Sequence, residues 1–77
     1  MSHEIPKSVL KMSKDCHYKF HLILWLDSEP FFEFGENTKS KFTESLKLWK
    51  KVNVPTLVRS DYRIYISDSK RLIEADF

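Results

Sequence analysis

Between His17 and Leu26 the chain alternates, with Tyr18, Phe20, Leu22, Leu24 and Leu26 on one side and His17, Lys19, His21, Ile23 and Trp25 on the other. A period of two marks a strand with one buried face, because successive side chains of an extended chain point to opposite sides. No strand is stable alone, so this run obliges a short chain to supply both pairing partners and a cover. Asp27-Ser28-Glu29-Pro30 follows with turn chemistry: Asp and Ser bond nearby amides, and Pro fixes its own φ. Phe31 to Phe34 then reads as a short second strand antiparallel to the first.

After Gly35, the only glycine and so a position where a Cβ is expected to cause strain, the period lengthens to about 3.6. Phe42, Leu46 and Trp49, with Ser45 and Val52 beside them, line one side of a helix predicted from Thr38 to Val52, while Glu44, Lys47 and Lys51 lie on the other. Asn37 or Thr38 is the expected N-cap. Asn53 and Pro55 are expected to end the helix, leaving Lys50 and Lys51 in the last turn at the negative end of the dipole. Leu48 breaks the division by projecting from the basic side.

Thr56 to Val58 reads as a further short strand, Arg59-Ser60-Asp61 as a linker, and Tyr62 to Ile66 as another alternating strand. Ser67-Asp68-Ser69-Lys70 opens either a four-residue hairpin loop to a strand over 71–77 or a terminal helix; the spacing of Ile73, Ala75 and Phe77 favours the strand. Residues 1–16 admit either a helical turn around Val9 or a loose N-terminal arm. The sum is an α+β fold, β-β-α-β-β: a small antiparallel β-sheet with one amphipathic helix packed on one face.

At 77 residues the chain makes one domain, 1–77, with a marginal core that buries only roughly 60–65% of the unfolded surface. Its aromatic residues take the place of the disulfides or metals that small domains often need. Cys16 is the only cysteine, which excludes an intrachain disulfide and points to a reducing compartment. The longest apolar run, Leu22 to Leu26, is far below the roughly 18 residues of a spanning helix. The first residues lack the basic start and apolar stretch of a signal peptide. A cytoplasmic protein without membrane contact is the expectation.

The net charge of +2 hides a local dipole. Residues 37–59 hold Lys39, Lys41, Lys47, Lys50, Lys51 and Arg59 against Glu44 alone, whereas 27–36 hold Asp27, Glu29, Glu33 and Glu36 with no base. The basic face suits either a phosphate backbone or an acidic protein surface. A second candidate surface is the outer side of the first strand, where Trp25, extended by Arg63 and Tyr65, would form a mixed aromatic and cationic face. Such faces stack single-stranded bases or anchor proteins. One helix cannot cover both faces of a sheet, so self-association is also expected.

Other chemistry is disfavoured. Cys16 and His17 would point to opposite faces of a strand, and His17 and His21 would stand roughly 13 Å apart, so no metal ion is expected. Adjacency of Cys16 to His17 does not supply the geometry of a nucleophile and base. The single glycine argues against phosphate-cradling loops, and no cofactor is expected.

The sequence therefore favours a non-enzymatic protein-binding module, an inhibitor or adaptor like the small accessory proteins of mobile elements. That comparison rests on composition alone. Trp25, Arg63, Tyr65, Lys47 and Lys51 are its expected contact residues. The alternative is nucleic-acid binding through Lys39, Lys41, Lys47, Lys50, Lys51 and Arg59. A homo-oligomer is compatible with either.

Overall fold

The computed structural model describes residues 4–69 and 71–75. In chain order it contains α1 (Lys7–Asp15), β1 (Phe20–Leu26), β2 (Glu29–Glu36), α2 (Lys39–Leu57), β3 (Tyr62–Asp68) and β4 (Arg71–Ala75). The strands form one antiparallel sheet in the order β2-β1-β3-β4. The expected α+β sheet with a helix between two strand pairs is present. The sheet has a helix on each face.

Alternation along β1 and β3 divides the core. Leu22 and Leu24 on β1, with Ile64 on β3, pack under Phe42 and Leu57 of α2. Ile23, Trp25 and Tyr65 point the other way and are buried with Val9 of α1, flanked by Ile5, Met12 and Leu72. The N-terminal segment is thus a covering helix rather than a loose arm. Its inward apolar residues are only Val9 and Met12, with Ile5 just ahead of it, and its nine residues fall short of the roughly 12–15 that hold a helix in isolation. Docking on the sheet is what keeps it folded.

That docking overturns the expected exposed face. Tyr65 is 0% exposed and Trp25 8%, so both are core residues and unavailable to a partner. Arg63 is half-buried, with its guanidinium carbon 4.6 Å from the Trp25 ring centroid. Two large aromatics on an otherwise half-polar strand face are hidden once α1 lies over them.

The β1–β2 connection is a two-residue hairpin loop, since Leu26 pairs with Glu29. Its residues have positive φ, 49° at Asp27 and 75° at Ser28, matching the twist that tight hairpins require. Pro30 belongs to β2 rather than to the turn, and a proline is tolerated there because β2 is an edge. β1 begins at Phe20, not His17, because Tyr18 leaves the strand and lies against Gly35. A Cβ on Gly35 would come within 2.9 Å of Tyr18 Cβ and closer to its ring. Close approach, not a positive φ, is what requires glycine there.

α2 runs five residues past its expected end and carries Pro55 inside it, so Thr56 and Leu57 are helical rather than part of a strand. Lys50 and Lys51 consequently sit in the helix interior. Burial of Leu57 in the main core rewards the extra turn. The Asn53 side-chain amide donates to the Trp49 carbonyl (2.9 Å), and the Thr56 hydroxyl donates to the Asn53 carbonyl (2.6 Å). Thr38 occupies the N-cap position without a side-chain bond, while Asn37 accepts the Lys19 amide at 3.3 Å. Asp68 pairs with Arg71, so Ser67 and Asp68 belong to β3 rather than to the expected four-residue loop, of which residue 70 lies outside the described residues. The expected last strand is found as β4, and its continuation over 76–77 lies outside the described residues.

Candidate functional site at the rim of the sheet

With a helix on each face, four of the eight exposed large apolar side chains among the described residues, Phe31, Phe32, Leu48 and Val52, lie on β2 and the neighbouring flank of α2, while Leu10, Tyr18, Val58 and Ile73 are exposed elsewhere. On β2 the cause is a β-bulge. Trp25 pairs with Pro30 and Leu24 with Phe32, which leaves Phe31 as an extra residue in β2. Phe31 is 68% exposed, and Phe32 is 41% exposed even though it stacks on Trp49 of α2 (centroids 6.2 Å apart, planes at 6°). The stack ends a chain of rings reaching back to the core: Phe32 meets Phe34 at 6.1 Å, Phe34 meets Phe42 at 5.6 Å, and Phe42 meets Phe20 at 5.7 Å.

On α2 the flank next to Trp49 continues the patch. Leu48 and Val52, one helical turn apart, are 63% and 67% exposed. Sequence reasoning placed Leu48 outside the core but took Phe31 and Phe32 for ordinary strand residues. Two adjacent large aromatics after a proline held the signal, because a regular strand turns only one of them inward.

The basic residues divide around α2. At about 100° per residue, Lys39, Lys47, Lys50 and Lys51 fall within roughly 120° of one another, whereas Lys41 lies on the Leu48–Val52 flank. Lys39, Lys41, Lys47, Lys50, Lys51 and Arg59 are all exposed. Glu44 shares a shallow depression with Lys39 and Lys47, so the basic face is interrupted.

A different constellation lies below the C-terminal end of α1. His21, 4% exposed, has its Nε2 2.9 Å from Oε2 of the half-exposed Glu33. Since a carboxylate only accepts, the Nε2–H donates in this contact. His21 Nδ1 is buried without a partner among the described residues. The pair borders a cleft of about 650 Å³ lined also by Asp15, Cys16, His17 and Tyr18. Cys16 Sγ accepts the Tyr18 amide at 3.3 Å, a local turn contact. Among the described residues, no three His, Cys, Asp or Glu side chains are placed to hold a metal ion. No helix among them is long and apolar enough to cross a membrane. No known protein family, curated protein or solved structure matches the chain.

Proposed function

We propose that this protein is a non-enzymatic protein-binding module that acts through the rim formed by Phe31, Phe32, Leu48 and Val52. The observation that carries the reading is the joint exposure of these four large apolar side chains on neighbouring elements. Exposed apolar clusters of this kind mark interaction surfaces, and stacked aromatics are the usual anchors. Lys41 on the same flank of α2, with Lys47 and Lys51 beyond it, favours a partner whose apolar contact is bordered by acids. An inhibitor or adaptor acting in the cytoplasm is the form this activity takes in our reading. A second copy of the chain is one partner that the same rim would accept.

Nucleic acid is the weaker reading, because Glu44 interrupts the basic face and the side chains best suited to base stacking, Phe31 and Phe32, lie away from it. The test is photocrosslinking in lysate with a probe at Thr56, comparing the wild type with a Phe31→Ser/Leu48→Ser variant. Adducts, a homodimer included, should form with the wild type and fall at least tenfold in the variant, with melting temperature unchanged. Equal adducts from both proteins would refute the rim as the contact surface.

A further inference from the structure

The opposite rim of the sheet has a different character. β4 is an edge strand whose described residues, Arg71–Ala75, pair with β3 in unbroken register. β2 carries a proline and a bulge, two devices that obstruct strand addition. β4 carries neither among its described residues.

Beside it runs a groove of about 740 Å³ between α1 and β4, lined by Lys7, Leu10, Lys11, Ser13, Lys14 and Leu72. The helix lies along the strands. Val9 shares a buried cluster with Ile23 and Tyr65, while Ser13, one turn later, meets Ser67 two residues along β3, hydroxyl to hydroxyl at 3.3 Å. Four helical residues advance about 6.0 Å and two strand residues about 6.8 Å, so the two advances agree. Lys7 and Lys11 are therefore spaced along β4 nearly as alternate side chains of an added strand would be.

We propose that this groove binds an acidic peptide in extended conformation, which pairs with β4 as a fifth strand and sets alternate carboxylates against Lys7 and Lys11. Apolar side chains of the peptide on the same face would rest on Leu10, which is nearly half exposed, and on Leu72. Strand addition supplies main-chain hydrogen bonds, and the lysines supply the preference for acids. Glu74 is exposed on the same face of β4, two residues from Leu72, and it opposes acids at the Lys7 end. The surface is separate from the β2 rim, and its test does not depend on that rim.

The probe is a capped, dye-labelled heptapeptide of alternating glutamate and valine, titrated against the full chain by fluorescence anisotropy. Two comparison peptides are the lysine–valine analogue and a glutamate–valine peptide N-methylated along one edge. Ionic strengths of about 0.01 and 0.15 M, where the screening length falls from roughly 30 to 8 Å, bracket the charge contribution. The glutamate peptide should bind saturably and weaken with salt, and the lysine peptide should bind at least tenfold more weakly. A Lys7→Gln/Lys11→Gln variant should lose between about 2-fold and 25-fold, from roughly 1.4- to 5-fold per exposed pair. Glu74→Gln should tighten binding. Amide protection should rise at 71–75. Absence of saturable binding at the lower salt, equal affinity for both charges, undiminished binding of the methylated peptide, or protection on β2 instead would each overturn the proposal.

Discussion

Tyr65 offers a sharp test of how α1 sits on the sheet. Its ring is 0% exposed and its hydroxyl is buried with no hydrogen-bond partner among the described residues. Leaving a buried hydroxyl unpaired costs about 1–3 kcal/mol by mutational measures. Tyr65→Phe removes that cost and keeps the ring contacts with Val9, Ile23 and Trp25. The void it leaves, about 10–15 Å³ at roughly 24 cal/mol per Å³, returns only about 0.3 kcal/mol. The variant should therefore be more stable by at least about 0.7 kcal/mol. For 77 residues the unfolding entropy near the midpoint is about 160 cal/mol/K, so the melting temperature should rise by 4 °C or more. Urea and thermal unfolding followed by tryptophan fluorescence measure both quantities, since Trp25 shares the cluster. Destabilisation by 1 kcal/mol or more would refute the reasoning, because it would mean that the hydroxyl makes a bond which this packing of α1 denies it.

Pro55→Ala should stabilise by about 2 kcal/mol in urea titrations. It restores an interior helical N–H, set against about 1 kcal/mol of lost restriction in the unfolded chain. Gly35→Ala should cost about 1–3 kcal/mol through overpacking against Tyr18, and adding Tyr18→Ala should recover most of it; additive losses in the double-mutant cycle would count against the contact. Val9→Asp should undock α1, because an unpaired buried carboxylate costs more than three apolar contacts return. Trp25 emission should then shift to the red while β1 amides stay protected, and loss of that protection would show that α1 is integral to the sheet.

The fold was legible where one period ruled and tertiary contacts agreed with it. Leu22, Leu24, Phe42 and Leu46 announced the main core, and Tyr62 to Ile66 announced β3. It was illegible where packing overrode local punctuation. Asn53 and Pro55 are stop signals, yet α2 continues because Leu57 reaches the core and the Asn53 and Thr56 side chains bond carbonyls of the last turns. α1 was ambiguous because three apolar residues in nine carry little periodicity, and its effect was felt far from its own sequence. Covering Ile23 and Trp25 converted the expected contact residues Trp25 and Tyr65 into core. The candidate rim was hidden for a related reason. A bulge is a property of register, and register is set by the partner strand.

Closure of both faces bears on where the proposed protein contacts can lie. A sheet face offers a broad surface, and here α2 packs on one and α1 on the other, which leaves the two rims for the proposed contacts. At β2 the proline and the bulge spoil the main-chain ladder, and the contact proposed there would run through the side chains of Phe31, Phe32, Leu48 and Val52. At β4 the ladder is regular, and in the proposed complex the neighbouring Lys7 and Lys11 would select charge rather than shape. The two rims lie at opposite ends of the strand order and share no residue. If both proposed contacts form, occupying one rim would leave the other open, and the adaptor proposed above would then join an apolar surface to an acidic segment.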